Sequence, residues 1–298
     1  MAKSIFLSTS FAPVRKATAL LLTMVTAGCG TFIPSQRDWP NDDTTDVANM
    51  NTYLAASVIC ELSYAVTIAI EKDRGSAKLR PNGRAYSSYL NDWGVEVSTD
   101  LTASESSTVN PSGSWSPFLA PAALASISGG FSVGATSSNE DNNNVFYPLS
   151  ALYKPAYFTV GTQERPCRKL SGDKQGSPLV DIDLKILPLL ISRMQTVELG
   201  ITDEPKKKET ITGQKNVLTK TVSIKETFSG GVNPTWAFTT GSINSTGTLF
   251  SGSRERTHQI VFTFGELADS RQGLKPLPEL THINQQLKAG LRASVFNR

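Results

Sequence analysis

The residues best equipped for chemistry in this chain are few. There are two histidines, His258 and His282. His258 shares one strand face with Arg254 and Arg256 in Ser253-Arg254-Glu255-Arg256-Thr257-His258, because alternate residues of a strand point the same way. Three groups able to carry positive charge on one face invite a carboxylate. Glu61 is the candidate, since at 100° per residue it falls between Val58 and Leu62 in an apolar helical stripe, and a buried carboxylate needs a partner. The expectation is a buried charge cluster of Glu61 with Arg254, Arg256 or His258. The same cations could instead receive an anionic envelope ligand. His282 lies on the far side of a C-terminal helix from Leu280, Ile283 and Leu287, which predicts a solvated histidine.

The arrangements that usually announce catalysis are not read in this sequence. There is no phosphate-cradling glycine loop, no histidine pair at zinc spacing, and no nucleophile elbow is expected. Two histidines and no close cysteine pair leave too few ligands for a metal, so neither metal nor cofactor is expected. Two carboxylates alone could serve a glycosidase, but nothing selects a pair among the 26 acids. The expectation is therefore no enzyme, with an envelope hydrolase of unrecognised site ranked last.

The first thirty residues carry an address. Lys3, Arg15 and Lys16 form a basic start, Ala17 to Ala27 an apolar stretch, and Ala27-Gly28 a small pair directly before Cys29, the layout of a secretory signal. The apolar stretch is far short of the ~20 residues that cross a bilayer as a helix. The run from Leu21 to Gly30 resembles the lipobox of bacterial lipoproteins. The resemblance implies a diacylglyceryl group on the Cys29 thiol, cleavage before it, and a mature chain held to a membrane by its N-terminal lipid. Gly30 stands where aspartate would imply retention at the inner membrane, so the implied place is the periplasmic face of the outer membrane.

Charge and cysteine usage agree with that address. The chain has 29 Lys and Arg against 26 Asp and Glu. Residues 1–28 hold three of the bases and no acid, which leaves the mature chain balanced. A neutral protein without a basic stripe is a poor partner for nucleic acid. With Cys29 lipidated, Cys60 and Cys167 remain as an even pair where disulfides persist. A Cys60–Cys167 bridge is expected, two unpaired thiols being the alternative.

The elements that must position these residues follow from period. Residues 1–28 are the signal peptide, 29–45 a polar tether, and 46–298 a single domain. Met50, Leu54, Val58, Leu62, Ala65 and Ala69 predict a helix over about 46–72, preceded by cap candidates at 42–45 and stopped by Gly75, with Cys60 on its accessible face. No other stretch reads as a membrane-spanning helix. From Trp93 the period becomes two, giving strands near 93–103, 127–136, 218–228, 236–238 and 260–264. Between lies a helix starting near Leu187, because Pro188 would break one started earlier. A last helix carries Leu280, Ile283, Leu287, Leu291 and Val295 on its inner face. The fold class is α+β, an antiparallel sheet packed by an N-terminal and a C-terminal helix.

One loop is apolar where loops are usually polar. Trp115, Phe118, Leu119 and Leu124 make it the expected contact element. The leading expectation is an outer-membrane-anchored lipoprotein that binds or braces another envelope protein without catalysis. The competing one is a subunit of an oligomeric β-barrel pore built from the 93–136 hairpin; Glu96 and Asp100 count against it.

Overall fold

The computed structural model describes residues 33–34, 36, 44–115, 127–161, 167, 177–180, 182–202, 204, 216–238, 241–244 and 248–296. In chain order the elements are α1 (Thr44–Ala77), β1 (Trp93–Val109), β2 (Ser112–Trp115), β3 (Ile127–Gly130), β4 (Val133–Pro148), α2 (Leu149–Leu152), α3 (Ile186–Glu198), β5 (Leu218–Val232), β6 (Trp236–Phe238), β7 (Gly241–Ile243), β8 (Phe250–Glu266) and α4 (Pro276–Phe296). The long strands form a four-stranded antiparallel sheet in the order β4-β1-β8-β5, and the short ones a second sheet in the order β3-β2-β7-β6. The fold is α+β, as the periodicity predicts. The chain divides into two compact units, unit 1 (1–34, 103–139, 226–256) and unit 2 (35–102, 140–225, 257–298). Apart from the division between residues 34 and 35, each falls inside a long strand.

Unit 2 holds the hydrophobic core. Met50, Leu54, Val58, Leu62, Ala65 and Ala69 of α1 are buried together with Trp93, Val95 and Val97 of β1 and Ile260, Phe262 and Phe264 of β8. By length and composition α1 has a segment apolar enough to cross a membrane, over Ala48–Ala77, which the sequence reading passed over. Its apolar stripe is core. The helix runs past Gly75, where a Cβ would meet nothing within 4 Å, so the glycine's only cost is its own conformational freedom. In α3, Pro188 sits in the first turn, whose N–H groups have no partner within the helix, so the helix begins at Ile186 without losing a bond.

The C-terminal helix corrects an expectation. Leu280, Ile283 and Leu287 are exposed, whereas His282 is 1% exposed. Pro278, His282 and Gln286, four apart on one face, are the residues that meet the sheet. Gly265 makes room for Pro278: a Cβ there would lie 2.4 Å from the Pro278 Cγ. The sheet offers α4 Ser98, Thr263 and Asn144, so polar residues of the helix are the complementary ones.

Candidate functional site

Among the described residues, the strands of unit 1 make up four legs, 103–115, 127–139, 226–238 and 241–244 with 248–256. Pro111 and Pro234 interrupt the ladders because proline lacks the N–H to continue them. Other bonds carry the pairing across the breaks. Asn110 N donates to Leu249 O at 2.7 Å, Phe131 N to Pro111 O at 3.2 Å, and Asn244 N to Ser112 O at 2.7 Å. Asn244, at φ 52°, is a residue type that tolerates the left-handed region. Its Oδ1 accepts from Ser112 N at 3.1 Å and its Nδ2 donates to Pro234 O at 3.2 Å.

The register sorts the short strands into rows. Ile127, Trp115, Gly241 and Phe238 align, then Ser128, Ser114, Ser242 and Ala237, then Gly129, Gly113, Ile243 and Trp236. Directly opposed residues share a face and successive rows alternate. In the middle row Ser114 Oγ and Ser242 Oγ are 2.7 Å apart. The same alternation runs through the long strands of unit 1, where Phe131, Val133, Phe228 and Val232 are exposed, Phe131 by 63% and Phe228 by 61%. Ser106 and Ser253 are hydrogen-bonded at 2.7 Å and line a hollow of about 380 Å³ with Ser229, Gly230, Thr248 and Ser251.

The sequence itself carries a signal for this region. Residues 106–139 and 227–253 contain no Asp, Glu, Lys or Arg, in a chain that is 18% charged. Ion pairs stand where charge resumes: Arg254 Nη1 lies 3.1 Å from Glu105 Oε1, and Arg256 Nε donates to Glu226 Oε2 at 2.9 Å.

Those pairs bear on the expected charge cluster. Arg254 and Arg256 belong to unit 1 and sit beside Glu105 and Glu226, carboxylates the sequence reading did not single out. His258 and Glu61 belong to unit 2. His258 is fully buried, with Ser177 Oγ 2.8 Å from its Nδ1. Glu61 is half-buried on α1.

His282 anchors a polar network in unit 2. Its Nδ1 is 2.8 Å from Thr263 Oγ1 and its Nε2 2.5 Å from Ser98 Oγ; Gln286 Nε2 bonds Ser98 and reaches Asn144 Oδ1 at 2.8 Å. Burial lowers the His282 pKa to about 4, so the ring is neutral near pH 7. Ser98 and His282 have the spacing of a nucleophile and its base, but the second ring nitrogen faces a hydroxyl where catalysis uses a carboxylate, and both residues are buried. This is a structural tie.

The pattern Gly-x-Ser-x-Gly does occur, at Gly130-Phe131-Ser132-Val133-Gly134, which corrects the reading that expected no elbow motif. It joins β3 to β4, where an elbow joins a strand to a helix, and both histidines lie in unit 2. Cys60 and Cys167 stand with Sγ atoms 2.05 Å apart and Cα atoms 5.5 Å apart. Trp115 closes β2, while Cys29, Phe118, Leu119 and Leu124 lie outside the described residues. No known protein family and no curated protein matches this chain.

Proposed function

We propose that several copies of this chain form a pore in the outer membrane, each copy supplying the four legs of unit 1 as spanning strands while unit 2 remains in the periplasm. The observation that carries this reading is the composition of the legs. Their charges, Glu105, Glu226, Arg254, Glu255 and Arg256, stand at one end of the legs, and residues 106–139 and 227–253 carry none; those runs alternate apolar residues with serine, threonine, asparagine and glycine, and leave Phe131, Val133, Phe228 and Val232 exposed. Each exceeds the ~9–11 residues of a tilted spanning strand. Lipid would cover Phe131, Val133, Phe228 and Val232, and the serine face would line water. Four strands fall short of the ~8 that close a small barrel, so the pore requires further copies. Lipid on Cys29 would hold each copy at the membrane, and a Cys60–Cys167 disulfide would suit the periplasm.

Two features of the sequence take a new place in this reading. The spanning part moves from 93–136 to 103–139 and gains a second hairpin, 226–256, because Val95 and Val97 are core. Glu96 and Asp100, which weighed against a pore, fall in unit 2. No catalytic step is invoked. The other reading, a non-catalytic component that braces an envelope protein, draws on the exposed Leu280, Ile283 and Leu287 of α4. Conductance across a planar bilayer, or release of a trapped dye from vesicles, by the lipidated protein tests the proposal. Stepwise, long-lived currents are expected, and their absence from membranes that have taken up the protein would turn the choice to the second reading.

A further inference from the structure

We infer that the copies join head to tail, the outer edge of β4 in one copy pairing antiparallel with the outer edge of β5 in the next. This deepens the pore reading by naming the partner as a second copy and the seam as two particular edges. Among the described residues β4 and β5 are the outer strands, each with one neighbour, and they are 16 and 15 residues long. Long open edges of this kind are templates for pairing with another chain. β4 leads from unit 1 into unit 2 and β5 from unit 2 into unit 1, so the two run in opposite directions.

Charge selects which edges meet. Thr99 Oγ1 reaches Asn143 O and Ser98 Oγ reaches Asn144 Oδ1, tying β1 to β4. Ser106 pairs with Ser253 and Arg256 with Glu226, tying β8 to its neighbours. Counting along the strands from these contacts sets residues 140, 102, 257 and 225 in one row. Glu140, with Asp141 beside it, ends that row on β4, and Lys225 ends it on β5. All three are exposed, Lys225 while also keeping an interaction within its own copy, and Lys220 lies earlier on the same strand. Pairing β4 with β4, or β5 with β5, in the register that aligns these rows would set like charges directly opposite one another, which destabilises a sheet. Pairing β4 with β5 sets opposite charges together. An interface between two different surfaces of the same chain closes into a ring when its rotation allows. A barrel staggers its strands, so the acidic pair meets either Lys225 or Lys220 according to that stagger.

Cysteine crosslinking on the full lipidated chain tests the seam. Asn142→Cys would be combined in turn with Ser223→Cys, Thr221→Cys and Thr219→Cys, covering staggers of none, about two and about four residues. Within one copy these edges lie about 14 Å apart at the spacing of strands, beyond the reach of a disulfide. The expected result is a ladder of covalent oligomers for one of the three pairs. No ladder from any pair, or dimers from Asn142→Cys alone, would overturn the inference. Lys225→Glu with Lys220→Glu should lower the oligomer fraction by roughly threefold per seam, and adding Glu140→Lys with Asp141→Lys should restore it. A variant that merely misfolds would not be rescued by a second charge reversal. Vesicle leakage without a ladder would reject the seam and keep the pore; a ladder without leakage would keep the seam and reject the pore.

Discussion

The strands of unit 1 and unit 2 follow one rule of alternation and meet different fates. In unit 2 the apolar positions Val95, Val97, Ile260 and Phe262 are covered by helices and are essentially inaccessible. In unit 1 the corresponding alternation leaves Phe131, Phe228 and Val232 in the open, while the intervening positions are small and uncharged. A half-covered sheet ordinarily places charged residues on its wet face. Here residues 106–139 and 227–253 carry no charge at all, the composition on which the pore proposal rests. The comparison teaches that period alone does not separate the strands of the two units; exposure and the distribution of charge do.

The largest effect should come from truncating the same residue type in each unit. Phe262→Ala removes a fully buried ring from the core and should cost about 3–5 kcal/mol, read as a fall in the chemical-denaturation midpoint. Phe228→Ala should change that midpoint by less than about 0.5 kcal/mol. Equal losses at both positions would erase the distinction between the units. Charge placed in the legs sharpens the same contrast. Val133→Arg should oppose insertion by about 2–4 kcal/mol per copy near the bilayer centre, and Phe228→Arg, close to the charged end of its leg, by about 1 kcal/mol or less, seen as loss of protein from the membrane fraction. Ser106→Arg, on the opposite face, should insert and shift ion selectivity towards anions. If both faces respond alike, neither faces lipid.

Unit 2 should also carry a pH dependence through His282. His282 is held neutral, its pKa lowered to about 4 by burial from about 6.5 in the unfolded chain. The unfolded chain takes up the proton first, so stability is complete above pH 6.5 and is lost as pH falls towards 4. The loss reaches about 3 kcal/mol at most. Denaturation midpoints measured between pH 7 and pH 4 should fall in the wild type and stay flatter in His282→Asn.

Much of the fold was legible. The α1 stripe, the switch to period two at Trp93 and the α+β class all follow from spacing, because burial of one face imposes that spacing. The strand order was not, since turns fix only local neighbours and the order β4-β1-β8-β5 depends on contacts far apart in the chain. The Glu105–Arg254 and Glu226–Arg256 pairs were hidden for the same reason. The legs were half-legible: alternation identifies the strands, whereas the charge-free runs 106–139 and 227–253 emerge only when charge is followed along the whole chain.

The smallest effect concerns α4, where spacing pointed the wrong way. Helical periodicity assigns Leu280, Ile283 and Leu287 inward because it assumes an apolar surface to meet. The sheet face under α4 instead carries Ser98, Thr263 and the bare backbone of Gly265, and it accepts His282, Gln286 and Pro278. Leu287→Ser should therefore shift stability by less than about 0.5 kcal/mol, whereas His282→Leu, which improves the apolar count of the buried face, should destabilise by leaving hydroxyls unpaired. A substantial loss from Leu287→Ser in the isolated chain would mean that the leucine is already covered. A loss that appears only in the assembled form would place this stripe at a contact between chains, where an exposed apolar face on an otherwise polar-packed helix has its simplest physical use.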